Sequence, residues 1–379
     1  MSINIFSVSD ARRLAKRRLP RVIFDFIDGS AGEESAADLN VSRLEALRLL
    51  PRVLIDVEER ELAKSLLGET YRLPFGIAPM GMCNLTWPGA DAMLADAARR
   101  HGIPLGLSTM SSTSIERMAE QADGKLWFQL YVGESEEVAH HLVDRAWAAG
   151  CRHLFLTVDV PAIGVRPREQ RNGFRSPFRI RPDQFIDFAW HARWSLGTLK
   201  AGIPRLANVN VPGGVQLKRN EARGRVDWAF LERLREHWQG RLIVKGVLGA
   251  EDSVRIRDAG ADAICVSNHG GRQFDSSPAA IDQLPVIRAA VGADYPLLFD
   301  SGVRSGEGVI KALALGADFV LVGRPFLYAM AAGGRHGLER VIELFRNQIH
   351  NGLAQLGCPD INRLDPGFVL DASTGGGRR

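Results

Sequence analysis

The chain has 379 residues, 45% of them apolar and 24% charged, with 48 lysines and arginines against 44 aspartates and glutamates. These values exclude a mostly disordered, collagen-like or disulfide-scaffold protein and leave room for one large barrel. A net charge of +4 is too small over this length to indicate nucleic-acid binding, so what matters is where the surplus sits. Cys83, Cys151, Cys265 and Cys358 form no C-x-x-C pair and no zinc spacing, which fits a reduced, cytoplasmic protein without a metal centre. Met1 to Pro20 lacks the apolar core and cleavage site of a secretory signal. The uncharged run Leu73–Ala90 is broken by Pro74, Pro79 and Pro88 and cannot be a continuous spanning helix.

In chain order, Val8–Arg18 reads as a helix capped by Ser7 or Ser9, its basic face (Arg12, Arg13, Lys16, Arg17, Arg18) expected to be solvated. Pro20 and Asp28-Gly29-Ser30 end the opening helices. From residue 73, short β-branched apolar runs alternate with helical patterns. The expected strands are Phe75–Ala78, Leu105–Ser108, Trp127–Tyr131, Leu154–Val158, Leu242–Lys245, Ala263–Ser267, Leu297–Asp300 and Phe319–Val322. The helices between them include Ala90–His101, Ser114–Gln121, Ser135–Ala149, Asp227–Trp238, Ala250–Ala259, Ala279–Val291 and Gly306–Leu315. Glycines close several of these helices. Eight repeats predict an α/β protein, a (β/α)8 TIM barrel with an N-terminal helical segment, ahead of a doubly wound sheet. A single barrel domain would span 1–372, followed by a flexible tail, 373–379. The rhythm breaks after the fourth strand, where residues 160–226 form a long inserted basic and aromatic loop on the catalytic face.

In such a barrel, polar residues at the C-terminal strand ends face the active site. Here those residues are Pro79 and Gly81, Ser108, Gln129 with Tyr131, Thr157 with Asp159, Lys245, the run Ser267–Gln273, Asp300–Arg304, and Gly323-Arg324. Each alone is weak evidence, since strand-end hydroxyls commonly satisfy backbone groups. Lys245 is harder to explain structurally, because a buried ammonium needs a partner. Gly302, Arg304, Gly323 and Arg324, each pair followed by a helix N-terminus, suggest a phosphate site at the last two strands. Lys245, Gln129, Thr157 and Ser267 could then hold a polar ring above that phosphate, where a nearby cation would stabilise a reduced anionic ring.

These runs together resemble the FMN-dependent 2-hydroxy-acid dehydrogenase/oxidase family, which includes glycolate oxidase, flavin L-lactate dehydrogenase and mandelate dehydrogenase. The matching runs are Ile77-Ala78-Pro79, Phe128–Tyr131, Leu156–Asp159, Val244-Lys245-Gly246, Ser267–Gln273, Asp300–Arg304 and Gly323-Arg324, and the likeness covers about Leu19 to Pro359. The resemblance implies FMN held by Pro79, Gly81, Ser108, Gln129, Thr157, Lys245, Ser267, Asp300, Gly302, Arg304, Gly323 and Arg324. It implies His269 as catalytic base with Asp159 as its partner, and Tyr131, Arg272 and Arg166 as substrate contacts. A 2-hydroxy carboxylate suits that set, which offers guanidinium forks for the carboxylate and a base for the reacting carbon or hydroxyl. The resemblance also implies a homotetramer.

Two departures matter. Phe26 stands where the family has a tyrosine touching the substrate carboxylate, which implies altered specificity rather than lost activity. Gly81 stands where the family's oxidases more often have alanine, which favours a dehydrogenase over an oxidase. A flavin-binding protein without turnover and a flavin-dependent isomerase are the other readings.

Residues 175–225 carry ten basic residues against three acidic ones, together with Phe178, Phe185, Ile186, Phe188, Trp190 and Trp194. The rest of the chain is therefore mildly acidic. This mixture suits an anionic bilayer, with a solvated lid over the active site as the plain alternative. In membrane-associated members of the family the corresponding loop contacts the bilayer. The segment thus implies a peripheral enzyme on the inner face of the cytoplasmic membrane, passing electrons to quinone.

Overall fold

The structure, a computed structural model, describes residues 4–133, 135–174, 181–209 and 226–371. Eight strands run β1 (Phe75–Met80), β2 (Leu105–Ser108), β3 (Leu126–Leu130), β4 (His153–Thr157), β5 (Arg241–Val247), β6 (Ala263–Val266), β7 (Leu297–Phe299) and β8 (Phe319–Val322). They pair in parallel, each with its neighbour in sequence, and β8 closes on β1. Most of their residues are buried, as expected for strands covered by side chains inside the barrel and by helices outside. The predicted (β/α)8 barrel is therefore the observed fold.

The strand ends differ from the sequence expectation in both directions: β1 and β5 run on to Met80 and Val247, while others stop early. Tyr131, Ser267 and Asp300, expected as strand ends, fall just beyond β3, β6 and β7. They have left the ladder, so their side chains are free to turn across the barrel mouth. The floor of the barrel is filled by a hairpin, Lys64–Leu66 paired with Glu69–Tyr71. Its Leu66 and Tyr71 pack with Trp127, Phe155, Ile243 and Phe319 inside the barrel.

Helices α1 (Val8–Arg18), α2 (Arg21–Asp28) and α3 (Ser35–Ala46) precede the barrel. Ser7 caps α1 by accepting from the Asp10 amide. The basic face of α1 is not wholly solvated: Arg12 grips the buried Asp28 carboxylate through two hydrogen bonds of 2.6 and 2.8 Å.

The inserted segment is not simply a loop. Its described part holds the helices Pro167–Arg171, Phe185–Trp190 and Ala192–Ala201. Phe188 and Trp194 are buried, and the Trp194 indole donates to the Leu85 carbonyl at 2.8 Å, fastening the helical pair to the barrel. Phe185, Ile186, Trp190, Leu196 and Leu199 remain exposed. Arg175, Phe178, Arg179, Lys218, Arg219, Arg223, Arg225 and the 373–379 tail lie outside the described residues.

Candidate functional site

Two polar runs cross the barrel interior, one over β2 to β4 and one from β5 to the residues after β6 and β7. Ser108 and Gln129 are register partners on β2 and β3, and Thr157 faces Lys245 on β4 and β5. Ser108 Oγ donates to Gln129 Oε1 at 2.9 Å, and Gln129 Nε2 donates to Thr157 Oγ1 at 2.9 Å. Lys245 Nζ, buried, lies 2.7 Å from Asp300 Oδ2 and donates to Ser267 Oγ at 2.9 Å. Burial alone would strip the proton from Lys245; Asp300 outweighs it and raises the pKa, so the residue is an ammonium. Burial would likewise raise the Asp300 pKa, but Lys245 prevails and lowers it. The barrel thus holds a permanent, paired cation at its centre.

The turn after β6 carries the candidate base. His269, Gly270 and Gly271 all have positive φ, at 59°, 64° and 76°. A histidine there is strained, and the turn is held by surrounding hydrogen bonds. Ser267 Oγ accepts from the His269 amide and Ser301 Oγ from the Gly270 amide, each at 3.0 Å. Asn268 Oδ1 accepts from the Gly271 amide at 3.1 Å and is itself gripped by Asn40 of α3. A side chain on Gly271 would meet the Ala37 amide nitrogen at 2.5 Å, so α3 packs directly on this turn.

His269 Nδ1 lies 3.0 Å from Asp159 Oδ1, and Nε2 lies 3.1 Å from the Tyr131 hydroxyl. Asp159 as a carboxylate only accepts, so the proton of a neutral imidazole sits on Nδ1 and leaves Nε2 as the acceptor. Burial pulls the His269 pKa below its usual value, and Asp159 offsets this only in part. The ring is therefore neutral at pH 7, as a base must be.

The two arginines expected at the substrate carboxylate meet at a residue that sequence reasoning passed over. Glu169 is buried, and its Oε1 lies 3.2 Å from both Arg166 Nη1 and Arg272 Nη2. Arg272 also donates to the Gly29 carbonyl at 2.5 Å, and Arg166 Nε donates to the Arg272 carbonyl at 3.1 Å. Glu169 follows Arg166 by three residues, one helical turn, which is the signal that could have found it. The Asn40–Asn268 pair left no such signal, because the two are 228 residues apart.

At β7 and β8, Arg304 and Arg324 reach the same cavity as Gly302 and Gly323. No carboxylate pairs with either arginine among the described residues. Arg324 hydrogen-bonds Gly270 O, Gly29 O and Ser30 Oγ, yet its buried Nε has no partner. Burial, with Arg324 adding to it and Tyr328 opposing, lowers the Arg304 pKa. Two guanidiniums with no carboxylate in ion-pair contact among the described residues, one with a buried N–H that lacks a partner among them, fit a phosphate. The glycines serve different ends. Gly302 (φ 84°) is required because a Cβ would strike the Asn40 carbonyl at 2.6 Å. A Cβ on Gly323 would meet nothing closer than 3.6 Å, so that position leaves room for a ligand.

The cavity, of about 220 Å³, is lined by Pro79, Gly81, Ser108, Tyr131, Arg166, Lys245, His269, Arg272, Asp300, Gly302, Arg304, Gly323 and Arg324. Thus most of the expected residues converge. Asp159, Gln129, Thr157 and Ser267 are not on its wall; Asp159, Gln129 and Ser267 stand behind it, bonded to His269, Ser108 and Lys245, and Thr157 is bonded to Gln129. Gly81 is pressed by Met110, whose Cβ would lie 2.9 Å from an added Cβ. Met80, Met110, Val160, Ile163, Phe174, Leu206 and Phe26 supply an apolar side.

Behind the arginine pair, Arg168 ties the insertion to α2. It bonds Asp28 at 2.9 Å, Asp25 at 3.3 Å and Glu34 at 2.5 Å. Burial would raise the Asp28 pKa, but hydrogen bonds from Arg12, Tyr328 and Arg168 hold it at about 2. The carboxylate is therefore charged at neutral pH and keeps the knot closed.

Comparison with known proteins matches this geometry. The sequence pattern of the FMN-dependent dehydrogenase family matches residues 15–371. (S)-Mandelate dehydrogenase from Pseudomonas putida is 40% identical over 375 residues, covering 97% of this chain and 95% of the relative. An L-lactate dehydrogenase from Pseudomonas syringae pv. syringae is 37% identical, covering 97% and 99%. A crystal structure of the monotopic membrane protein (S)-mandelate dehydrogenase superposes with a TM-score of 0.92 at 40% identity, covering 97% of this chain and all of that one.

Proposed function

Because this chain belongs to the FMN-dependent dehydrogenase family, we propose that it oxidises an L-2-hydroxy acid to the 2-oxo acid at the barrel mouth, with His269 as base. The observation that carries this reading is His269 itself, oriented by Asp159 and Tyr131 and sharing a cavity with two arginines that converge on one carboxylate. FMN, when bound, supplies the two-electron acceptor for the substrate. Arg304 and Arg324, with Gly302 and Gly323, would hold its phosphate. Lys245, Ser108, Gln129, Thr157, Ser267, Asp300, Pro79 and Gly81 would surround the rest.

The chain's own residues perform the proton chemistry and the positioning. Arg166 and Arg272 take the substrate carboxylate, and Tyr131 hydrogen-bonds the substrate. His269 Nε2 then accepts a proton from it. The resulting imidazolium donates from Nδ1 to Asp159, whose charge stabilises it where it forms. The expected result is bleaching of the yellow protein by L-2-hydroxy acids under anaerobic titration. No bleaching by any member of a panel containing lactate, mandelate and longer acids overturns the reading.

The acceptor reading is a dehydrogenase that delivers electrons to a membrane quinone rather than to oxygen. It is supported by Gly81, the position where the family's oxidases more often have alanine and where an added Cβ would crowd Met110 at 2.9 Å. Slow reoxidation of the reduced protein in air is expected, and a fast peroxide burst sinks this part. A peripheral site on the inner face of the cytoplasmic membrane is supported by the exposed Phe185, Ile186, Trp190, Leu196 and Leu199 on helices anchored by Trp194. No helix among the described residues is long and apolar enough to cross a membrane. Co-sedimentation with anionic vesicles at low salt is expected. Assembly as a homotetramer is supported by the exposed apolar run Val53, Leu54 and Ile55.

A further inference from the structure

We propose that Phe26 and Phe174 together determine substrate specificity, forming an aromatic wall that selects 2-hydroxy acids with a large apolar or aryl side chain over small ones. This rests on the hydroxy-acid reading above. Phe26 comes from α2 and Phe174 from the insertion, yet their rings stack in parallel, 4.3 Å between centroids and 7° between planes. Both line the cavity that holds His269. The Arg272 guanidinium lies over the Phe26 ring, 5.7 Å from its centroid.

The stack is built rather than incidental. Arg168 and Asn172, both in the segment leading to Phe174, hydrogen-bond Asp25, the neighbour of Phe26 in α2. The Phe174 amide donates to the Glu169 carbonyl at 3.0 Å, so the ring and the Glu169 that aligns both arginines belong to one short turn. Position 26 therefore contributes a ring face to Arg272 and a packing surface to Phe174, and it offers no hydroxyl to a carboxylate. Apolar neighbours, among them Ile163 and Leu206 from the insertion, extend the same surface.

A wall of this kind favours a ligand that covers it and leaves a small substrate with exposed apolar surface beside it. Selectivity from one apolar contact of this size is roughly tenfold or more. The test uses the FMN-loaded enzyme and compares kcat/KM for mandelate, 3-phenyllactate, lactate and glycolate by anaerobic flavin bleaching. The aryl acids are expected to exceed lactate by at least about tenfold. Phe174→Ala is expected to collapse that ratio, lowering kcat/KM for the aryl acids at least about tenfold more than for lactate; Phe174→Leu, which keeps apolar volume, serves if the alanine variant does not fold. Phe26→Tyr is expected to raise lactate and glycolate turnover relative to the aryl acids. Equal kcat/KM for lactate and mandelate in the wild type, or equal loss for both in the Phe174 variants, overturns the wall and leaves the oxidation reading intact. No bleaching by any acid overturns both.

Discussion

The two halves of the cavity are assembled by different means. The half assigned to the cofactor is made by the barrel: Ser108, Gln129, Thr157 and Lys245 lie on β2 to β5, and Asp300, just past β7, pairs with Lys245. The half assigned to the substrate is made by segments outside the barrel. Phe26 from α2, Arg166, Glu169 and Phe174 from the insertion, and Arg272 from the turn after β6 are brought together by tertiary contacts, among them those of Arg168 and Asn172 with α2. A strand end can hardly move without unravelling the ladder, whereas a tertiary knot can be retuned one contact at a time. The cofactor chemistry of such a molecule belongs on the first half and its selectivity on the second.

The division can be broken or sharpened by experiment. The largest effect is expected at His269, which joins the halves. His269→Gln should lower kcat by about 10²–10⁴-fold, typical of a lost general base, with FMN still bound. In the wild type, kcat/KM should fall as pH drops through a midpoint below the usual histidine value, because burial lowers the His269 pKa. Asp159→Asn removes the carboxylate that raises it, so the midpoint should move lower still. A shift to higher pH contradicts the assignment.

Next, Arg304→Met combined with Arg324→Met should weaken FMN retention by roughly 100-fold, from two lost charge-assisted hydrogen-bonding groups. Flavin content after gel filtration reads this directly. The smallest effect is expected from Glu169→Ala. Without its shared carboxylate the two arginines repel, and KM should rise roughly tenfold, about 1.4 kcal/mol, with kcat and flavin content changed much less. Glu169→Gln keeps an acceptor oxygen and should recover part of the loss. Loss of flavin from the Glu169 variants would show that the halves are not separable.

This same division explains what could be read from the sequence. Barrel strands carry a period and a local composition, and their polar ends follow in order, so the eight strands and the residues from Pro79 to Arg324 were legible from the chain. Their reach was less so. Tyr131, Ser267 and Asp300 read as strand residues, because an alternating pattern does not reveal where backbone pairing stops. The substrate half was legible only in pieces. Phe26 stood out as a departure, but its partner Phe174 lies 148 positions away in a segment of irregular rhythm, and no local pattern joins them. Arg12 read as one more solvated charge, since its partner Asp28 is fixed by how α1 packs against α2. The three helices of the insertion were hidden because they are short, of 5, 6 and 10 residues, and are held by anchors such as Trp194 more than by their own periodicity.

The hairpin under the barrel sets the order of events in the catalytic cycle. With Leu66 and Tyr71 packed into the floor, the described residues place the cavity that Lys245 and His269 line at the mouth of the barrel. Substrate, oxidised product and any acceptor that must approach the flavin therefore share one doorway. They use it in turn, and a bulky acceptor waits until the oxo acid has gone. The turnover divides into two half-reactions separated by an exchange of occupants, a schedule written into the topology before any affinity is considered.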